Sequence, residues 1–309
     1  MALSLWGKSL SGLPAVCARY ASRRYVTLLL LAGMSKSVRA GMIGYRHGGV
    51  IQWATVGLCH PKTPREQPMA DAQLESVLAK KLNTFVRLSA DELKCLAGMQ
   101  TNPLKIRRGA QLTREGDTGH KAFVLQDGWA CSFKLLPSGS RQIISFPIAG
   151  DIVGLRSVLL RTADHSFSAI TDAVVSPVEA PHVLKCVTEF PRLGAALLWA
   201  ASRDEAMVVE HLVSIGRRNA LERTAHFFME LAERLSLIGR ASETELECPL
   251  SQFVIADALG LTAIHVNRVL RQLRELGLLR VRKKTVKIED LAGLRKLAGF
   301  QGGYLNSRK

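Results

Sequence analysis

The residues with the clearest chemistry lie between Ser251 and Lys287. From Thr262 to about Leu276, Val266, Val269, Leu270 and Leu273 recur at helical spacing and define an apolar inner side. The opposite side carries Ala263, Ile264, His265, Asn267, Arg268 and Arg271. Amide, imidazole and guanidinium groups on one helix face can donate to base edges and to phosphate oxygens. Ser251 caps a preceding helix that opens at Gln252, and Thr262 caps the second helix. Lys283 and Lys284 add point charges at the tip of a hairpin. These residue types imply recognition of a polyanion. No nucleophile–base pair and no metal-ligand cluster has useful spacing, so no catalytic residue or metal ligand is assigned and no enzyme activity is expected.

Positioning these groups requires a specific run of elements. Ser251 caps a helix over Gln252–Leu259, with Phe253, Ile255, Ala256 and Leu259 expected on its buried face. Gly260 supplies the left-handed turn into the second helix, and Gly277 ends that helix. Leu278–Val281 and Thr285–Ile288 then read as two short strands around Arg282-Lys283-Lys284. Together they predict a winged helix-turn-helix. Charge agrees with it. Residues 251–309 carry twelve Lys and Arg against four Asp and Glu, residues 69–250 carry 21 against 21, and residues 1–68 carry nine against one. Half of the net +16 therefore falls in this one segment.

Upstream, Met69–Gly98 has the pattern of one or two short helices, with a capping box at Ser89 and Glu92. Glycines at 109, 116, 119, 128, 139, 150 and 154 then separate candidate strands, the clearest being Leu104–Arg107, Ala122–Leu125, Trp129–Leu135 and Gln142–Ile148. Short strands so spaced predict an antiparallel barrel or jelly roll. Between Pro191 and Ile238 no internal proline occurs. Leu197, Ala201, Asp204, Val208, His211 and Ile215 share one face of a long helix, and a second helix covers about Arg218–Leu237. Gly239–Glu247 reads as a polar link.

Three strings bring these elements together: Arg114-Glu115-Gly116-Asp117, Ala122 to Gly128, and Pro147 to Gly154. With Ala256-Asp257-Ala258-Leu259-Gly260-Leu261-Thr262-Ala263-Ile264-His265-Val266-Asn267-Arg268 they resemble Crp/Fnr-family regulators over about residues 75–300. The resemblance implies an α+β chain: a cyclic-nucleotide-binding-like antiparallel β-barrel (jelly roll), a long dimerisation helix and a C-terminal winged helix-turn-helix. The implied division is an N-terminal extension (1–68), a sensor domain (69–185), connecting and dimerisation helices (186–240) and a DNA-binding domain (241–309). It implies a cytoplasmic homodimer that binds double-stranded DNA and meets the transcription machinery, with Arg268 contacting base or phosphate, Asn267 as a second base reader, Ser251 and Gln252 on the DNA backbone, and no membrane partner. The other reading is a cyclic-nucleotide-binding signalling module whose basic end contacts lipid or protein.

The sensed signal is not named by the residues. Cyclic-AMP-binding relatives place a Gly-Glu pair on the ribose and an arginine on the cyclic phosphate. Here Leu155 follows Gly154, and His165 stands in the arginine's place. Leucine accepts no hydrogen bond and neutral imidazole makes no bidentate phosphate contact, which argues against cyclic AMP. Ile264 replaces a glutamate common in relatives and leaves only apolar contact to a base. Cys17, Cys59, Cys95, Cys131, Cys186 and Cys248 form no C-x-x-C pair and read as reduced thiols, and no N-terminal cysteine cluster supports an iron–sulfur centre. Residues 1–68, including the apolar run Tyr25–Met34, read as a disordered or artefactual lead. A start at Met69 is the alternative.

Overall fold

The computed structural model describes the backbone of residues 40–47 and 50–57, and residues 76–119, 121–155 and 160–306. The chain forms two compact units, residues 1–67 and 68–309. In the first, β1 (Ala40–His47) and β2 (Val50–Gly57) pair antiparallel, from Ala40 opposite Gly57 to His47 opposite Val50. This corrects the disordered lead over these strands. Gly48-Gly49 between runs containing Ile43, Tyr45, Ile51 and Trp53 is a hairpin signal in the sequence. Tyr25–Met34 and Met69 lie outside the described residues.

The second unit opens with α1 (Val77–Asn83) and α2 (Ala90–Gly98), the latter held by the expected Ser89–Glu92 capping box. Eight strands follow: β3 (Leu104–Ile106), β4 (Gln111–Thr113), β5 (Ala122–Asp127), β6 (Ala130–Leu135), β7 (Arg141–Ser145), β8 (Ile152–Val153), β9 (Ser166–Ala169) and β10 (Ala173–Val178). They pair antiparallel in two four-stranded sheets, ordered β3-β10-β5-β8 and β4-β9-β6-β7. Leu125, Ala130, Val153, Phe167 and Val175 form one core of this jelly roll. The four strands expected from sequence are β3, β5, β6 and β7. The others were hidden because β4 and β8 are very short, β9 is rich in serine, and β10 contains Pro177.

α3 (Ala180–Glu189) leads directly into α4 (Pro191–Arg217), and α5 (Ala220–Ser236) packs back after a turn capped by Asn219. The face chosen on α4 needs correction. Ala201, Asp204 and Val208 line a cleft against the jelly roll, and His211 bonds the β7 carbonyl of Ile144, so this part of the face is turned toward the jelly roll, while Ile215 at its end is exposed. The open apolar stripe is displaced by one residue and runs through Leu198, Val209 and Leu212, 68%, 54% and 70% exposed. The open stripe is interrupted at its four-three positions by Ser202 and Glu205, so sequence spacing favours the other face, and the jelly roll's position turns most of that face inward.

The C-terminal part contains β11 (Glu245–Glu247), α6 (Gln252–Leu259), α7 (Ala263–Glu275), β12 (Leu279–Arg282), β13 (Thr285–Ile288) and α8 (Leu291–Ala298). β11 lies where a polar link was expected and completes a three-stranded sheet ordered β11-β13-β12. α8 was not anticipated. One continuous apolar core passes from Trp129, Ile143 and Phe146 of the jelly roll, through Phe227, Phe228 and Leu231 of α5, to Ile255, Val266 and Leu273.

Candidate DNA-binding surface and sensor cleft

The Ser251 hydroxyl accepts from Val254 N–H at 3.3 Å and starts α6. Gly260, at φ +63°, reverses the chain, and Thr262 accepts from His265 N–H at 3.2 Å to start α7. A side chain at Gly260 would have to occupy left-handed backbone, the reason glycine stands there. The two helix axes meet at 98°. Burial of Val266, Val269 and Leu273 fixes the roll of α7, each contributing up to about 1.5–3 kcal/mol. Arg223 of α5 donates to the carbonyl of Leu259, joining the end of α6 to the connecting helices.

Of the sequence-selected residues, Ser251, Gln252, Thr262, Ile264, Asn267, Arg268, Arg271, Lys283 and Lys284 are exposed, and His265 is half-buried. Ile264 is 77% exposed, a large apolar group presented to solvent beside Asn267 and Arg268. Arg271 pairs with Glu275 at 3.7 Å. Lys283 adopts φ +52° in the β12–β13 turn, which sets the two wing lysines beyond the sheet. Phe253 departs from expectation. It is 73% exposed rather than in the core, because a helix cannot turn 253, 254 and 255 inward together, and Ile255 takes the buried place. Three adjacent apolar residues were the available signal for this exposed aromatic.

A cleft open to solvent lies between the jelly roll and α4. Leu155, His165, Asp204, Glu205 and Arg234 are among its walls. His165 is buried, with Nδ1 2.7 Å from Asp164 Oδ1 and its ring centred 4.5 Å from that of Phe167. At its inner end three cations converge on Asp151: Lys81 from α1, Arg203 from α4 at 3.1 Å and Arg234 from α5 at 3.3 Å, with Ile148 N–H donating at 2.8 Å. Burial alone would raise the carboxyl pKa, but the three cations outweigh it and hold Asp151 well below the usual range. Burial, with Arg203 and Arg234 adding to it, brings Lys81 down to about 8 despite Asp151.

A second ion pair joins the half-buried His211 to the buried Glu230. His211 Nδ1 is 3.0 Å from the Ile144 carbonyl, and Nε2 is 3.0 Å from both oxygens of Glu230. Both ring nitrogens face acceptors, so imidazolium fits the site. Burial opposes that charge, but the Glu230 carboxylate and the two hydrogen bonds prevail and raise the pKa. Tyr304, near the C-terminus, donates to the same carboxylate at 3.1 Å. From the jelly roll, Arg141 donates twice to Asp257 of α6, at 2.7 and 2.9 Å, and Gln142 donates to the Ala258 carbonyl at 3.1 Å.

Comparison with known proteins agrees with this architecture. The sequence pattern of the cyclic nucleotide-binding domain matches residues 103–189, and that of the Crp-like helix-turn-helix domain matches residues 222–297. The nitrogen fixation regulation protein FixK of Rhizobium meliloti is 32% identical over 190 residues, 61% of this chain and 83% of the relative. The chain belongs to the Crp/Fnr family of transcriptional regulators. The anaerobic regulatory protein of Haemophilus influenzae is 27% identical over 212 residues, covering 69% of this chain and 82% of its own length. The structure of FixK2 from Bradyrhizobium japonicum superposes with a TM-score of 0.59 at 26% identity, over 65% of this chain and 98% of that one. None of these relatives supports the reading as a lipid- or protein-contacting signalling module.

Within the Crp/Fnr jelly roll, both residues that replace the cyclic-AMP contacts line the cleft, so the substitutions alter its chemistry and not a remote surface. The cysteine reading is corrected in part. Cys95 of α2 and Cys186 of α3, 91 positions apart, are joined as a disulfide, with His182 beside them. Sequence spacing could not show that α2 and α3 are neighbours. Cys131 and Cys248 are free and buried; burial raises both thiol pKa values, that of Cys248 to about 11, which leaves them unreactive. Cys17 and Cys59 lie outside the described residues. Among those residues no single helix is long and apolar enough to cross a membrane.

Proposed function

We propose that this regulator is a cytoplasmic homodimer that binds double-stranded DNA through two α7 helices, set in successive major grooves about 34 Å apart. The observation that carries this reading is the outer face of α7. Asn267, Arg268 and Arg271 stand exposed on a helix whose inner side is fixed by a packed core and whose start is capped. Arg268 and Asn267 are the base readers, with Ile264 offering apolar contact to a thymine methyl. Ser251, Gln252, Thr262, His265 and Arg271 lie around the same helix starts and face, and Lys283 and Lys284 bind phosphate from the wing. The exposed Leu198–Val209–Leu212 stripe of α4 supports its use as the dimer seam. The proposed division is a sensor over 69–185, connecting helices over 186–240 and a DNA-binding part over 241–309. No catalysis is included, and contact with the transcription machinery follows from the regulatory role.

The cleft supports a sensing role, because its walls come from the jelly roll and α4 while Arg141 and Gln142 connect the same jelly roll to α6. A ligand or modification that moves β7 would bias the placement of α6 and α7. Leu155 and His165 make it a different site from one built for cyclic AMP. Selection of binding sites from a random duplex pool tests the DNA reading. The full chain should enrich a two-fold symmetric sequence with salt-sensitive affinity, and Arg268→Ala should lose discrimination at one position of each half-site. An unenriched pool, or the same site at equal strength with the variant, would overturn it.

A further inference from the structure

Cys95, His182 and Cys186 are brought together by two helices that the DNA-binding reading does not use. His182 and Cys186 are one turn apart on α3 and share a face; Cys95 meets them from α2. One donor atom from each of the three lies within 4.8 Å of the others. The imidazole is held close, with Nε2 3.2 Å from the Cys95 carbonyl. It also needs a glycine opposite: a Cβ on Gly98 would lie 2.7 Å from its Cε1. Cys186 is buried, whereas Cys95 and His182 are half-buried, so the cluster has a rigid floor and an open side.

We propose that Cys95, His182 and Cys186 form a binding site for Zn²⁺ when both thiols are reduced, and that joining the two sulfurs abolishes it. Two thiolates and an imidazole are a borderline-soft donor set suited to zinc, and the open side leaves its fourth position to water or another small donor. Zinc bonds of about 2.3 Å to sulfur and about 2.0 Å to nitrogen require donor separations of roughly 3.5–3.8 Å, which side-chain rotation can provide. Binding displaces two protons, one from each thiol. Oxidation by a low-molecular-weight disulfide, RSSR, forms the Cys95–Cys186 bond and breaks the RS–SR bond. The two thiolates give up two electrons, two RS⁻ leave, and Zn²⁺ is released. Because α3 runs directly into α4, occupancy would fasten α2 to the foot of the long helix.

The test uses the full chain, reduced and freed of metal, then equilibrated with Zn²⁺ and, separately, with Co²⁺ as a spectroscopic substitute. The reduced protein should bind one Zn²⁺ more per chain than Cys186→Ser, and the oxidised protein should match the variant. Co²⁺ should give thiolate charge-transfer absorption in the reduced protein, absent from Cys95→Ser and Cys186→Ser, and His182→Ala should weaken Zn²⁺ binding at least about tenfold. If a variant does not fold, the unmodified chain still decides, since Zn²⁺ should raise Tm in the reduced form and leave the disulfide form unchanged. Equal zinc content in the reduced protein and Cys186→Ser would overturn the proposal. So would missing thiolate absorption, or a Tm indifferent to zinc in both redox states.

Discussion

In α7, Arg268, Arg271 and Arg274 stand in solvent at the edge of a well-packed apolar core, whereas Lys81, Arg203 and Arg234 are buried around a single carboxylate beside the cleft. The same residue types therefore do different work. Exposed cations cost little to fold and remain available to a polyanion. Buried ones must be neutralised locally: the carboxylate they share is distant in the chain from all three, and Arg203 and Arg234 each add a local partner, Asp204 and Glu230. Substitution in the first region should change binding with stability intact, and in the second it should change stability first.

The largest effect should come from Asp151→Asn. It leaves three cations without their shared countercharge and should lower unfolding free energy by about 3–5 kcal/mol in urea titration. A loss below about 1 kcal/mol would break the comparison, showing that the cations find other partners. Arg268→Ala should do the opposite, changing stability by less than about 0.5 kcal/mol while costing about 1–3 kcal/mol in affinity for the selected operator.

His211 lies between these extremes. Its pKa is raised, so the stability it contributes with Glu230 is fully present below the ordinary histidine value of about 6.5 and is lost as pH rises through the higher native value. Urea midpoints of the unmodified chain should therefore fall across that window relative to His211→Gln, and parallel curves would remove the imidazolium from the account. The smallest effect belongs to the half-exposed Arg141–Asp257 pair. Arg141→Ala should cost about 0–1 kcal/mol in stability, and a double-mutant cycle with Asp257→Ala measures whether the two residues are coupled.

These two regions were also unequally legible in the sequence. The turn at Gly260, the caps at Ser251 and Thr262 and the inner side of α7 depend on residues within a few positions of one another, so local spacing disclosed them. The Asp151 network could not be read that way, because Lys81, Arg203 and Arg234 lie 70, 52 and 83 positions from their partner. Cys95 and Cys186 escaped for the same reason. The open face of α4 escaped for another: Ser202 and Glu205 interrupt its apolar pattern, and it is left open because the jelly roll packs on the neighbouring face. Phe253 shows that an apolar residue at a helix start need not point inward.

The apolar core that passes without interruption from Trp129 through Phe146 and Phe227 to Val266 and Leu273 bears on how this protein can be cut or recombined. A protease acting near Arg240 would free a C-terminal fragment that exposes the faces of Ile255 and Leu246, and the remainder would keep Phe227 and Phe228 without their cover. Grafting these recognition helices onto another sensor would therefore require α5 and the facing edge of the jelly roll to travel with them.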